Sequence, residues 1–249
     1  MSEKMTKNLC IIQARMGSTR LPGKVLLEVD GVPLLEYLIK RVKLAKKIDK
    51  IVVATGSNQE NDPIEKLCLK LKIDCFRGSE KDVLDRYYQC LKNYPEYQNI
   101  VRVTGDCPLI DPKVIDQVID LFEQGNYDYA SNVVSPTFPD GMDVEIFRRE
   151  VLEESAKKAT TDFEREHVNE YLLGSDKFTK GNLKAENNYS KYHLTVDNEE
   201  DYLVVKFLAQ NSKIDASYLN YVELLEENPE IKKLNAHINR NEYAFKNKK

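Results

Sequence analysis

The chain has 249 residues and a formal net charge of −4, and 41% of its residues are hydrophobic and 31% charged. This length and apolar content suit one large α/β domain with a full core. We expect a cytoplasmic protein, because the acidic balance argues against nucleic-acid or membrane-surface binding and no apolar run approaches a membrane span.

Strand and helix patterns alternate through the first half of the chain. Short apolar runs predict strands, and apolar residues at helical spacing after Pro or Asp predict helices. In chain order these are a strand at 9–12, a helix over 33–45, a strand at 51–54, a helix over 62–71, a short strand at 75–76, a helix over 82–91, a strand at 100–103 and a helix over 112–122. The rhythm predicts a three-layer, Rossmann-like, mostly parallel sheet with helices on both faces.

The second half of the chain is less regular. The predicted elements are strands at 129–133 and 142–146, helices near 149–158 and 161–173, a strand at 191–196, a helix from Asn198 to 208 and a helical pattern from 218 to about 227. No linker or second-domain boundary is visible in the sequence. We therefore expect one domain over 1–249, with a core at about 8–210 and a helical C-terminal extension at about 211–249, frayed at 246–249.

The five cysteines indicate neither a disulfide framework nor a zinc site. Their number is odd, no two have CxxC spacing, and the three histidines lie far apart and near no cysteine. Cys10, Cys68 and Cys90 fall on apolar positions, where a free cysteine behaves as a small hydrophobic residue. We expect reduced structural thiols and no zinc.

The segment after the first strand, QARMGSTRLPGK at 13–24, has the composition of a phosphate-binding loop. Gly17 and Ser18 allow close backbone approach, so that main-chain N–H groups can line a triphosphate. Arg20 and Lys24 are then the natural partners of the β- and γ-phosphates. The alternative is ordinary surface charge, which a cluster of basic residues within one Gly-containing loop disfavours.

Residues at the carboxyl ends of two predicted strands extend this site. Gln13, Ala14 and Arg15 end the first strand, where backbone and side-chain donors can contact a base. Asp106 follows the strand at 100–103 in a Thr-Gly-Asp-Cys-Pro turn. Ligands of parallel α/β sheets bind at this edge, and Mg²⁺ prefers one or two carboxylates together with phosphate oxygens. We therefore predict that Asp106 is a magnesium ligand rather than only a turn-forming residue.

The 13–24 motif resembles the N-terminal signature of the cytidylyltransferases that activate acidic sugars, a group that includes the CMP-acylneuraminate and CMP-KDO synthetases. It is most similar to the branch of the spore coat polysaccharide biosynthesis protein F. Further matching segments lie at 78–87, 102–110, 139–145, 165–168 and 194–197, so that the resemblance covers about 8–210. It implies a nucleotide-diphospho-sugar transferase fold, CTP as the donor, Mg²⁺ as the cofactor and often a homodimer.

Residue roles follow from the resemblance and from the chemistry of nucleotidyl transfer. In the related synthetases an aspartate at the position of Asp197 joins the first carboxylate as a metal ligand, although Asp197 and Asn198 also suit a helix cap. The residues expected to bind the nucleotide are Gln13, Ala14, Arg15, Gly17, Ser18, Arg20, Lys24, Arg77, Thr104 and Asp106. Attack on the α-phosphorus needs positioning and charge neutralisation rather than a covalent nucleophile. The expected catalytic residues are Arg20, Lys24 and Asp106.

Acceptor recognition is expected from an acidic loop, residues 139–145, and from nearby basic residues. The residues of the loop expected to bind the acceptor are Asp140, Gly141, Asp143 and Glu145. The basic ones are Arg102, Arg165 and His167. Strand alternation would put Asp143 and Glu145 on one face, where they can bind sugar hydroxyls or form a solvated edge. Surface ion pairs are the alternative for Arg165 and His167, as for Arg86, which lies four residues after Asp82.

Three functions remain open from the sequence. The first is transfer of CMP from CTP to an acidic sugar with release of pyrophosphate, for surface polysaccharide synthesis. The second keeps the fold but uses a phosphate or phosphonate acceptor, or is a nucleotide-sugar glycosyltransferase, although the turn at 104–107 lacks the second aspartate of a DxD motif. The third is a non-catalytic nucleotide-binding subunit, which the combination of basic loop and aspartates disfavours.

Overall fold

A central sheet with helices on both sides organises the chain, as seen in a computed structural model that describes residues 6–238 and 240. The strands are β1 Asn8–Gln13, β2 Glu28–Val29, β3 Val32–Pro33, β4 Lys50–Gly56, β5 Asp74–Gly78, β6 Asn99–Thr104, β7 Tyr129–Ser131, β8 Glu145–Arg148 and β9 Lys180–Asn182. The helices are α1 Leu34–Val42, α2 Asp62–Leu71, α3 Val83–Leu91, α4 Pro112–Gly125, α5 Arg149–Lys158, α6 Asp162–Glu166, α7 Glu170–Leu173, α8 Glu199–Gln210, α9 Tyr218–Glu227 and α10 Pro229–Asn235.

Seven of the described strands form one sheet in the order β5-β4-β1-β6-β8-β7-β9, and β2 pairs with β3 in a separate hairpin. β8 runs antiparallel to both of its neighbours, whereas every other adjacent pair in the sheet is parallel. Gln13 lies beside Ala54 and Thr104, so the loops after β1 and β6 begin side by side. The predicted mostly parallel sheet in a single α/β domain is confirmed.

Alternate residues of the central strands face two separate apolar cores. Cys10 and Ile12 of β1 pack with α1, α2, α4, α8 and α9, whereas Leu9 and Ile11 pack with α3, α5 and α7. All four side chains are fully buried. Burial on both faces explains why β1 has a continuous apolar run in place of an alternating pattern.

Five of the ten described α-helices, α3, α4, α6, α8 and α9, begin at a residue whose side chain caps them. The Asp82 side chain accepts from the backbone N–H of Asp85 at the start of α3. Asn198 caps α8 in a reciprocal capping box with Asp201, so its predicted capping role is confirmed. Such caps satisfy N–H groups that have no partner within the helix.

Predictions for the second half of the chain need correction. The segment 191–196 is not a strand, because its backbone bonds to loops instead: Leu194 N donates to Asp140 O and Val196 N to Asp106 O, each at 2.8 Å. The predicted helix at 161–173 is broken at His167, which has φ −105° and ψ 54°, and forms α6 and α7.

Other element boundaries also differ from prediction. The strand predicted at 142–146 begins only at Glu145, since the Val144 N–H donates to the Asn132 side chain at 2.9 Å. The β2–β3 hairpin, β9 and α10 were not predicted at all. The frayed end expected at 246–249 lies outside the described residues.

All five cysteines are free thiols, and Cys10, Cys68 and Cys90 are buried as their apolar positions predict. Burial raises the pKa of the Cys90 thiol to about 12, as expected for a group that ionises poorly away from water. Within the described residues, the helices are all too short or too polar to cross a lipid bilayer.

Candidate active site

The loop between β1 and α1 is fixed by its own backbone and by a neighbouring side chain. Met16 O accepts from Ser18 N at 2.9 Å and from Gly23 N at 3.0 Å, while Met16 N donates to Asn61 Oδ1 at 2.9 Å. Gly23 has a φ of +71°, a left-handed conformation that glycine adopts without strain. These bonds set the positions from which the basic side chains of the loop extend.

Lys24 lies at the centre of a charged cluster. Its Nζ is 2.9 Å from Asp106 Oδ2 and 2.9 Å from Asp197 Oδ1, and Arg20 Nη2 is 2.8 Å from the same Asp197 oxygen. Burial opposes charge on Lys24, but the two carboxylates outweigh it and raise its pKa. Burial also disfavours the Asp106 carboxylate, whereas Lys24 and Thr104 favour it and together lower its pKa to about 2. Lys24 and Asp106 are therefore both charged at neutral pH.

Backbone contacts hold the two aspartates beside the end of β1. Gly105 N donates to Gln13 O at 2.8 Å, and Val196 N donates to Asp106 O at 2.8 Å. A Cβ at position 105 would lie 2.9 Å from the Gln13 carbonyl oxygen, so this close approach requires glycine. The turn after β6 and the segment that leads to Asp197 are thus joined at the sheet edge.

The donor set of this cluster suits Mg²⁺. Asp106 and Asp197 each direct a carboxylate oxygen at the same cation, the ammonium group of Lys24. Mg²⁺ is commonly held by one or two carboxylates while phosphate oxygens and water complete its octahedron. Two convergent carboxylates beside a phosphate-sized loop match that requirement.

The acidic loop packs against the segment that precedes the second aspartate. Asp140 forms an isolated parallel bridge with His193, and the Leu194 N–H donates to the Asp140 carbonyl at 2.8 Å. Gly141 has a φ of +97°, and a Cβ there would lie 2.7 Å from the Leu194 carbonyl carbon. Both the conformation and the packing at this position therefore require glycine.

A buried ion cluster connects the acidic loop to the second aspartate. His193 Nδ1 lies 3.0 Å from Asp140 Oδ2, and its Nε2 lies 3.5 Å from Asp201 Oδ1. Burial favours the neutral imidazole, but the two carboxylates outweigh it and raise the pKa of His193 to about 10. Asp201 Oδ2 accepts from the backbone N–H groups of Asp197 and Asn198 at 3.0 and 3.1 Å. Asp201 thus links the imidazolium to the main chain of Asp197.

Asp143 pairs with a residue near the C-terminus. Arg240 Nη2 lies 2.5 Å from Asp143 Oδ1. Burial raises the pKa of Asp143 to about 7, against the opposing charge of Arg240. The predicted shared strand face of Asp143 and Glu145 does not exist, because only Glu145 lies within β8.

Glu145 belongs to a buried polar cluster. Its carboxylate accepts from the Tyr129 hydroxyl at 2.7 Å and from the Asn169 amide at 2.5 Å, and it pairs with the Arg102 guanidinium. Arg102 Nε also donates to Gln13 Oε1 at 3.1 Å. The charge of Arg102 is therefore balanced by Glu145 within the protein itself.

Arg77 is engaged in ion pairs around the N-terminal turn of α2. Its Nη1 lies 2.7 Å from both Asp62 and Glu65, and its Nη2 donates to the carbonyls of Ser57 and Asn58. These contacts tie β5 to the loop after β4. They show a structural function for Arg77, and its predicted contact with the nucleotide stays a prediction.

The basic residues of α3 and α6 also have partners within the protein. Arg165 pairs with Asp82 at 2.6 Å, whereas Arg86 is buried and donates to the Ser79 carbonyl at 2.8 Å. The expected Arg86–Asp82 surface pair is therefore wrong. The His167 ring lies 4.4 Å from the Phe163 ring, centroid to centroid.

The remaining predicted residues lie at the carboxyl ends of β1 and β6. Arg15 and Gly17 are exposed on the loop, Ser18 is half-buried, and Ala14 is buried at its start. Thr104 Oγ1 lies 3.2 Å from the thiol of Cys107 in the turn after β6.

Four further residues of the site were not indicated by the sequence analysis. They are Asn61, His193, Asp201 and Arg240. Asp201 alone carried a local signal, because an acidic residue three positions after Asn198 completes a capping box. The others reach the site from distant segments, and no spacing rule relates them to the loop at 13–24.

The fold is that of nucleotidyltransferases. A solved structure of a CMP:2-keto-3-deoxy-manno-octonic acid synthetase complexed with CTP superposes with a TM-score of 0.64 at 17% identity. The match covers 83% of this chain and 100% of that chain. At this identity it establishes the likeness of fold alone.

Sequence similarity narrows this class to one family. The spore coat polysaccharide biosynthesis protein SpsF of Bacillus subtilis is 36% identical over 238 residues, which are 91% of this chain and 97% of that protein. A cytidylyltransferase structure from Leptospira borgpetersenii has a TM-score of 0.86 at 37% identity and covers 91% of this chain and 97% of its own. The cytidylyltransferase family model matches residues 9–243. The chain therefore belongs to the cytidylyltransferase family, which confirms the resemblance, and it is a CTP-using nucleotidyltransferase.

Proposed function

We propose that this enzyme transfers CMP from CTP to a hydroxyl group of an acidic sugar and releases pyrophosphate, with Mg²⁺ as cofactor. The observation that carries the proposal is the convergence of Arg20 and Lys24 with Asp106 and Asp197 at the carboxyl edge of the sheet. Triphosphate chemistry needs cations for the leaving pyrophosphate and carboxylates for a metal, and this edge supplies both.

The protein contributes charge and position to the reaction. The sugar hydroxyl attacks the α-phosphorus and releases its proton to solvent, the bond from the α-phosphorus to the oxygen that bridges to the β-phosphate breaks, and pyrophosphate leaves with its negative charge. Arg20 and Lys24 neutralise that charge as it develops. Asp106 and Asp197 hold Mg²⁺, which when bound polarises the α-phosphate. The low pKa of Asp106 keeps this ligand ionised throughout the neutral pH range.

The resemblance to the acidic-sugar cytidylyltransferases supports three further features of the proposal. They are a homodimeric assembly, a cytoplasmic location and a role in surface polysaccharide synthesis. Analytical ultracentrifugation of the purified chain tests the first. A sedimentation coefficient of a monomer across micromolar concentrations would contradict it.

The test of the activity is pyrophosphate release from CTP and Mg²⁺ with a panel of acceptors. The panel holds 2-keto-3-deoxy-manno-octonic acid, an acylneuraminate, a sugar phosphate and a phosphonate. Asp106→Asn should abolish release, whereas Asp176→Asn, which changes an exposed aspartate, should not. Release with the sugar phosphate or the phosphonate alone would show a phosphate or phosphonate acceptor instead of an acidic sugar. CTP binding without release would show a non-catalytic nucleotide-binding subunit.

A further inference from the structure

Arg240 brings a buried positive charge from beyond α10 to the acidic loop. Its side chain is 12% exposed, and its Nη2 donates to Asp143 Oδ1 at 2.5 Å. Its Nη1 is buried and has no hydrogen-bond partner within the described residues. A buried N–H group of a guanidinium that lacks an acceptor is unfavourable in the protein alone, because it has lost its water.

The acidic loop at 139–145 pairs with Arg240 and is linked to the turn after β6. The charge of Arg240 is stabilised by Asp143 and Asp140 of the acidic loop, and these interactions outweigh its burial and raise its pKa. Thr195 Oγ1 donates to Asp140 Oδ1 at 3.0 Å and lies 3.9 Å from the thiol of Cys107. Cys107 directly follows Asp106 in the turn after β6. The acidic loop that pairs with Arg240 is therefore joined to the turn that carries the first candidate metal ligand.

Arg240 has the chemistry that a sugar acid requires. A guanidinium carries N–H donors on separate nitrogens, so it can pair with one carboxylate through Nη2 and bind a second through Nη1, whereas lysine has a single donor nitrogen. The other basic residues considered for the acceptor have carboxylate or aromatic partners, with Arg102 paired to Glu145 and Arg165 to Asp82. Asp143 has a side chain 29% exposed, so the Arg240–Asp143 pair reaches the surface of the loop.

We propose that Arg240 binds the carboxylate of the acidic acceptor through Nη1, while Asp143 holds the guanidinium in place through Nη2. This inference rests on the proposed function and names the residue that makes the enzyme selective for acids. Asp143 is then a positioning residue rather than a ligand of sugar hydroxyls.

The experiment compares an acidic sugar with its own carboxamide. The acid is the panel member with the highest turnover, and the carboxamide keeps its shape but loses its charge. Arg240→Gln should raise the KM for the acid by about 10-fold or more, the usual loss for a hydrogen bond between charged groups. The KM for the carboxamide and for CTP should change by less than about twofold, so that the preference for the acid disappears.

The matched control is Arg148→Gln. Arg148 also pairs with an aspartate, Asp128 at 3.4 Å, but it lies opposite the first residue of β6, at the other edge of the sheet. The Arg148→Gln variant should therefore keep the wild-type preference for the acid over the carboxamide. If Arg240→Gln raises both KM values equally, or raises the KM for CTP, then Arg240 only supports the loop and the inference is wrong.

A second variant keeps the inference testable if Arg240→Gln does not fold. Asp143→Asn keeps a side-chain oxygen that accepts from Nη2 and so holds the guanidinium in place, but it removes the competing negative charge. The preference for the acid should therefore be retained or increased. Loss of that preference would overturn the assignment. A wild-type enzyme that turns over no acidic sugar refutes the proposed function itself, whereas turnover with an unchanged preference in Arg240→Gln refutes only the role of Arg240.

Discussion

Replacing His193 with glutamine removes a buried positive charge that two carboxylates stabilise. The imidazole is 6% exposed and lies between Asp140, which is 11% exposed, and Asp201, which is fully buried. Burial alone would favour the neutral ring, but the carboxylates raise the pKa of His193 from 6.5 to about 10. Because the folded-state pKa exceeds the unfolded value, this contribution to stability is complete below pH 6.5 and is lost as pH rises through 10.

The expected magnitude follows from these two pKa values. Their difference corresponds to roughly 5 kcal/mol, and removing one partner of a buried ion pair typically costs about 3–5 kcal/mol. We therefore expect His193→Gln to lower the free energy of unfolding near neutral pH by about that amount. Between about pH 7 and pH 9 the folded state holds one proton more than the unfolded state, so the deficit should shrink by about 1.4 kcal/mol per pH unit.

Urea unfolding at a series of pH values measures this effect. Wild type, His193→Gln and the control His237→Gln, which changes an exposed side chain, are compared at each pH. Groups that titrate in all three proteins contribute equally to the free energy of unfolding of each, so their contributions cancel when a variant is compared with wild type. The control should follow wild type. A constant deficit of His193→Gln from pH 7 to pH 9 would show that the ring is neutral in the folded protein and would refute the charge argument.

Three other substitutions test the site from different directions. Lys24→Met should lower kcat by about 100-fold or more and weaken CTP binding, since it removes a charge beside the leaving group. Steady-state kinetics measure this loss, and the control Lys213→Met, which changes an exposed lysine, should behave like wild type. Gly141→Ala should destabilise the fold by about 1–3 kcal/mol more than Gly31→Ala, as measured by thermal unfolding. Both glycines have a positive φ, but only at position 141 would an added Cβ meet neighbouring atoms. Asp201→Asn should raise the Mg²⁺ concentration needed for half-maximal activity, because the main chain of Asp197 loses a charged acceptor; an unchanged metal requirement would exclude that link.

The central part of the fold was predictable because its signals are local. β1 and β6 are apolar runs followed by loops, and in a parallel sheet the carboxyl ends of all strands lie at one edge. The sequence could therefore assign Lys24 and Asp106 to the same edge of the sheet, and in the structure Lys24 Nζ lies 2.9 Å from Asp106 Oδ2. The strand order, which the structure supplies, puts β6 beside β1 and so brings Gln13 next to Thr104.

The second half of the chain resisted prediction because its backbone bonds are not local. The segment 191–196 has the apolar pattern of a strand, yet its N–H groups bond to Asp140 and Asp106, in two different loops. β9 has three residues with no apolar alternation, so composition gives no strand signal there. Arg240 lies almost 100 residues from its partner Asp143, and a single basic residue in a lysine-rich tail carries no pattern that would predict the contact.

The charge of Lys24 between two carboxylates also predicts that the binding of CTP and the binding of a metal ion depend on each other. Lys24 Nζ contacts both Asp106 and Asp197 at 2.9 Å, so a metal ion on the proposed ligands would compete with the ammonium group for the same carboxylate oxygens. A triphosphate offers Lys24 alternative anionic partners. When the ammonium group of Lys24 binds the triphosphate, the two carboxylates become available to the metal. Each ligand should then strengthen the binding of the other by about fivefold or more, the usual lower range of such coupling.

Calorimetric titration of CTP with and without Mg²⁺ measures this coupling. Part of it belongs to CTP itself, which binds Mg²⁺ in solution, so the titration is repeated with Lys24→Met. In that variant the carboxylates have lost their ammonium partner, and Mg²⁺ should bind without CTP more tightly than it binds wild type. If Mg²⁺ binds the nucleotide-free wild type and Lys24→Met equally well, Lys24 does not compete with the metal, and the contacts at 2.9 Å have no part in ordering the two binding events.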